Sequence, residues 1–136
     1  MSNNKQSSLD KEFVLYQEAL ALKELGFDEP CFFAFDNCST PMRCSDLRTN
    51  EQKFNGVNYN SSSYTSQPTF SQAFRWFREK YEYNTEIVWM TAVNFKYSAR
   101  IKSKLGTDYI NEHETYEEAE LACLRKLIEI VQGGNK

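Results

Sequence analysis

The chain of 136 residues has one histidine, five glycines, and no apolar run near the roughly 18 residues that a membrane span requires. Each shortage removes a class of function. His113, in the polar stretch "NEHET", offers acid–base or nucleophilic catalysis no positioned partner, so it reads as a surface or capping residue. The glycines at 26, 56, 106, 133 and 134 match neither dinucleotide nor Walker spacing, which excludes those nucleotide folds. Positive charge is also short: sixteen Lys and Arg against nineteen Asp and Glu leave a net charge of −3, and no global field draws the chain to nucleic acid or an anionic membrane. The first twelve residues, "MSNNKQSSLDKE", lack the apolar core of a signal peptide, and the expectation is a cytoplasmic protein without a membrane role.

The four cysteines, Cys31, Cys38, Cys44 and Cys123, are expected as thiols in that compartment. Their spacing contains no Cys-x-x-Cys knuckle, and no metal or other cofactor is expected. Paired carboxylates such as Asp28 with Glu29, or Glu117 with Glu118, read as a helix-end turn and as first-turn charges favoured by the helix dipole. No constellation meets the requirements of an active site, and the reading is non-enzymatic.

What is abundant is aromatic: ten Phe and eight Tyr, in a chain 40% hydrophobic, are enough to build a core. Residues 1–136 are expected to form one domain, with 1–9 a flexible tail. "DKEFVLYQEALALKELGF" is apolar at helical spacing over a wide arc, and Gly26, Phe27 and Pro30 mark its end. "CFFAFD" (31–36) suits a buried strand, and the Ser/Asn/Thr-rich span 37–67 reads as a long polar loop with one short strand near 41–48.

Thr69 and Gln72 form a capping-box pattern opening a second helix, "PTFSQAFRWFREKY". At about 100° per residue, Phe70, Ala73, Phe74, Phe77 and Tyr81 share a face, and Trp76 lies about 120° from its centre. "EIVWMTAV" and the strictly alternating "NFKYSARIK" predict antiparallel strands, turning near Ala92 to Asn94, and a third strand is expected around Tyr109 and Ile110. A capping box at Thr115 and Glu118 opens the last helix, with Tyr116, Ala119, Cys123, Leu127 and Ile130 on one face. This order predicts an α+β fold: a small antiparallel sheet covered by about three helices.

Together, "LKELGFDEPCFFAF", "PTFSQAFRWFREKY" and "TYEEAELACLRKLIEIV" resemble a family of small uncharacterised proteins encoded by Bacteroidetes genomes, prophages and phages. The resemblance covers about half of the chain. It implies a bacterial host cytosol and a phage or mobile-element setting, where small accessory proteins bind a host or viral partner; it implies no catalytic residue.

Two candidate surfaces emerge from the residues themselves. Trp76 has three readings, a second side of the core, a contact with the polar span, or a partner anchor, and the last groups it with Arg75, Arg78 and Trp89 as a surface for a protein partner or a second copy of the chain. The alternative is a nucleotide or nucleic-acid patch on the outward strand face Lys96, Arg100 and Lys102, continued by Lys104.

Overall fold

The computed structural model describes residues 10–36, 43–44, 56–90 and 96–134. The expected tail at 1–9, most of the first half of the polar span, and the expected turn at Ala92 to Asn94 lie outside these residues. The fold is α+β, as the pattern predicts. Among the described residues, however, six strands form two three-stranded antiparallel sheets, and the chain divides into two compact units, Met1–Phe70 and Ser71–Lys136.

In the first unit a 3-10 turn (Asp10–Glu12) leads to helix α1 (Tyr16–Glu24). The helix begins later than its periodicity suggests because tertiary bonds hold the preceding residues extended. Phe13 bridges Thr69, the Val14 N–H donates to the Pro68 carbonyl at 3.0 Å, and Gln67 Nε2 donates to the Val14 carbonyl at 2.9 Å. Its end follows the sequence closely. Gly26 adopts φ +97°, its N–H bonds the Lys23 carbonyl, and the Phe27 N–H returns to the Leu22 carbonyl at 3.0 Å while the Phe27 ring is buried.

The first sheet has the order β2 (Arg43–Cys44), β1 (Phe33–Asp36), β3 (Tyr64–Gln67). Strand β3 corrects the reading of 37–67 as one loop. Its Thr65, Ser66 and Gln67 are buried despite being polar, because neighbouring residues satisfy them. Ser66 Oγ accepts the Tyr59 N–H at 2.7 Å, and the Ser66 N–H donates to Asn60 Oδ1 at 2.8 Å. Lys23 Nζ reaches the carbonyls of Ser61 and Tyr64. A buried polar group costs little once bonded, so a polar strand can serve as core. Before it, Cys31 and Val57 exchange two backbone bonds of 2.8 and 2.9 Å, and Gly56 makes the approach possible: at φ +76°, an added Cβ would lie 3.1 Å from the Cys31 carbonyl oxygen.

The second unit contains nearly all of helix α2 (Phe70–Tyr81), then strands β4 (Asn84–Met90), β5 (Lys96–Ser103) and β6 (Gly106–His113), and helix α3 (Tyr116–Gly134). The sheet order is β4-β5-β6, with Thr85, Ile101 and Tyr109 in one row and Trp89, Tyr97 and His113 in another. Helix α3 packs on this sheet. Ala99 and Ile101 on β5, and Cys123, Leu124 and Leu127 on α3, are wholly buried, each large side chain contributing about 1.5–3 kcal/mol of transfer free energy. The predicted capping box is present: the Glu118 N–H donates to Thr115 Oγ1 at 3.1 Å, and the Thr115 N–H donates to Glu118 Oε1 at 3.3 Å. Among the described residues, no helix is long and apolar enough to cross a membrane.

Candidate functional site

Helix α2 is rotated from its predicted orientation. Ala73, Trp76 and Phe77 are buried and Phe74 is only half-buried, so the buried stripe is displaced toward Trp76. The Trp76 ring, 5% exposed, meets Phe77 and Tyr81 edge-on at 5.1 and 5.5 Å, with Lys80 Nζ 5.1 Å from its centroid. A buried indole presents no surface to a partner, which removes Trp76 from the exposed set. Arg75 and Arg78 remain exposed, flanking a shallow depression with Ser71, Gln72 and Phe74. Trp89 is 57% exposed but stands on β4, in the row of Tyr97 and His113.

The outward cations of β5 are brought together, and each meets a carboxylate. Glu86, opposite Arg100 on β4, lies 3.2 Å from Lys102 Nζ and 3.3 Å from the Arg100 guanidinium. The Lys102 hydrogen bond, with Arg100 in support, holds the Glu86 carboxyl below its usual range. Lys96 lies 3.6 Å from Glu114, and Lys104 lies 2.8 Å from Glu82. These pairs leave a weaker positive field than the sequence alternation implies.

A groove of about 590 Å³ lies elsewhere in the second unit, between β6 and α3. Its strand wall holds Tyr109 and His113, and its helix wall holds Leu121, Ala122, Arg125 and Lys126. Glu112, Glu114 and Glu118 stand at one end and Glu129 at the other. Lys126 Nζ lies 2.6 Å from Glu129 and 5.8 Å from the Tyr109 ring. The lone histidine, expected in a turn, is the last residue of β6, and its buried Nε2 has no hydrogen-bond partner among the described residues.

Strand β6 is an edge: no strand among the described residues pairs with its outer side. The Glu112 N–H donates to Asn111 Oδ1 at 2.9 Å, so it is turned away from β5. Strand alternation then turns the N–H and carbonyl of Ile110 outward too, and Ile110 is 60% exposed. Among the described residues an open edge thus runs beside the groove.

Neither Cys31 nor Cys123 offers a ready nucleophile. Burial pushes Cys31 and Cys123 up to about 12, which keeps both protonated. Among the described residues no cluster of three His, Cys, Asp or Glu groups has metal-binding geometry.

The groove's residues carried a weak sequence signal. Tyr109, Asn111 and His113 alternate, and Glu118, Leu121, Ala122, Arg125 and Glu129 recur at helical spacing, a mixed flank beside the fully apolar stripe. No family model, curated protein or solved structure matches the chain.

Proposed function

We propose that the protein is a non-catalytic binding module whose groove between β6 and α3 holds an extended segment of a partner protein. The observation that carries this reading is the open edge of β6 beside a concavity in which Tyr109, Leu121 and Ala122 stand among charged side chains. Main-chain bonds to the Ile110 N–H and to the outward carbonyls of Ile110 and Glu112 would supply affinity, while alternate side chains of the segment enter the groove and supply selectivity. The carboxylates there are engaged as a helix cap (Glu118) and as ion-pair partners (Glu114, Glu129), which suits a recognition surface better than acid–base chemistry. The family resemblance supports a phage or mobile-element setting in a bacterial cytosol, where small accessory proteins act through host or viral partners.

A random-peptide library selected against the intact chain tests this. Enriched peptides are expected to slow amide exchange at Ile110. Binding is expected to be lost in Ala122→Phe, which fills the groove, and in Ile110→Pro, which removes an outward donor at a position where an edge strand tolerates proline. Peptides that instead protect α2, or bind both variants as well as the parent, would overturn the reading.

A further inference from the structure

We infer that two copies of the chain associate through strand β4, each pairing it antiparallel with its counterpart about a two-fold axis at Ile87; this is a second surface, independent of the groove. The outward groups of β4 follow from the register. Because Ile110 and Glu112 turn their main-chain groups away from β5, their neighbours Arg100 and Ser98 turn theirs toward β4, where Glu86 and Val88 stand opposite. Alternation then directs the N–H and carbonyl of Thr85, Ile87 and Trp89 away from the sheet, on a side where no strand among the described residues pairs.

Of the sheet edges among the described residues, β4 is the one left long, regular and unguarded. Strand β2 is two residues long. The outer side of β3 is occupied: the Ser66 N–H donates to Asn60 Oδ1 at 2.8 Å, and the Tyr64 carbonyl accepts the Ser61 N–H at 3.0 Å and Lys23 Nζ at 3.1 Å. Strand β6 is interrupted by a register shift at Ile101 and Lys102, and it carries Asp108 and Glu112. Strand β4, "NTEIVWM", has no proline, glycine, lysine or arginine, and its seven pairs with β5 run without a shift. Its single charge, Glu86, is already answered by Lys102 at 3.2 Å and Arg100 at 3.3 Å. Edge strands ordinarily carry charge, proline or a bulge that prevents pairing, and β4 has none of these beyond one neutralised carboxylate.

The residue pattern of β4 suits a second copy as occupant. An antiparallel ladder sets outward groups against outward groups, so Thr85, Ile87 and Trp89 face one another's counterparts. Centred on Ile87, all of Asn84–Met90 overlaps, Glu86 faces Val88, and the Trp89 ring, 57% exposed, gains Thr85 as an aromatic–β-branched cross-strand neighbour. Moving the centre to Glu86 sets that carboxylate against itself, and moving it to Val88 gives up part of the overlap. Pairing β4 with the β6 edge of another copy leaves an open edge at both ends and propagates, whereas β4 with β4 closes. The closed pair is one six-stranded sheet with β6 at each outer edge, so both β6 edges stay open.

Sedimentation equilibrium of the intact chain is expected to give twice the chain mass. Ile87→Pro, which removes an outward donor where an edge strand tolerates proline, is expected to give the single-chain mass with the circular dichroism of the parent. Oxidative cross-linking reads the register. Ile87→Cys is expected to form a covalent dimer well above the parent's background, because the opposed Cα atoms lie about 5.5 Å apart, within disulfide reach. Thr85→Cys is expected to stay at background, its counterpart lying more than roughly 13 Å away. These two variants decide the matter even if Ile87→Pro fails to fold. A parent chain of single mass throughout the micromolar range would overturn the inference, and so would a dimer that survives Ile87→Pro. Cross-linking of Thr85→Cys as readily as Ile87→Cys would overturn the pairing centred on Ile87.

Discussion

Replacing Trp76 with alanine separates the two roles open to this side chain, core member or partner anchor. The indole is 5% exposed and in edge contact with Phe77 and Tyr81, so truncation removes nearly all of a large buried surface and two ring pairs. Buried aromatic-to-alanine changes cost about 3–5 kcal/mol, and we take about 4 kcal/mol here. With a urea slope of about 2 kcal/mol per molar, the unfolding midpoint falls by about 2 M, a large part of the stability of a chain this size. Arg75→Ala, on the exposed flank, should stay within about 0.5 kcal/mol of the parent. Phe74→Ala, at a half-buried site, should cost about half as much as Trp76→Ala. Urea titration followed by far-ultraviolet circular dichroism measures all three. A Trp76→Ala midpoint within about 0.3 M of the parent would refute the rotated packing of α2 and return Trp76 to the surface.

Five further outcomes follow from individual contacts. Thr115→Ala removes one arm of the α3 capping box and should cost about 1 kcal/mol in urea unfolding, and no loss would mean the cap is not formed in solution. Gly56→Ala should cost about 1–2 kcal/mol from its positive φ alone, more if the Cys31 carbonyl cannot yield, and a neutral result would refute the close crossing there. Cys31 and Cys123, protonated in the fold with values of about 12 against an ordinary 9.0, should resist iodoacetamide near neutral pH, as read by peptide mass mapping. The unfolded thiols release protons first, so the stability these groups contribute is full below 9.0 and declines as pH rises toward about 12; a stability that rises over that window would refute their burial. The parent chain should pass through heparin at physiological salt because the β5 cations are paired, and firm retention that weakens steeply with added salt would favour the nucleic-acid alternative.

The elements legible in the sequence were those whose local chemistry and tertiary environment agree. Gly26 with Phe27 closes α1 as its residue types require, and the Thr115–Glu118 box opens α3 where its spacing places it. The alternation along β5 puts Ala99 and Ile101 inward and Lys102 outward. Where the reading failed, a long-range contact decided. Strand β3 is polar in composition, and partners brought by the fold, among them Lys23, Asn60, Tyr59 and the Val14 carbonyl, make "YTSQ" a core strand. The start of α1 is set by bonds from Pro68 and Gln67, more than fifty residues along the chain. Trp76 is the instructive case, because a helical wheel finds the widest apolar arc but does not know which side of that arc meets the rest of the protein. Phe74 and Trp76 lie on opposite flanks of Phe77, and tertiary packing chose the flank that buries the larger ring.

The same distinction explains why the groove was illegible. Its strand wall is an ordinary alternation and its helix wall an ordinary mixed flank, and neither is unusual until the fold sets β6 at an edge and lays α3 beside it. What the sequence does contain is the charge: Glu112, Glu114, Glu117 and Glu118 crowd seven residues around the strand–helix junction with no Lys or Arg among them. Two glutamates in the first turn of α3 suffice to answer its dipole. By the register of β6, however, Glu112 shares the face of Arg100, Glu114 pairs with Lys96 and Glu118 caps α3, so this charge is spread over both faces of the sheet and is not gathered in the groove, which is why its density in the sequence does not by itself mark a site.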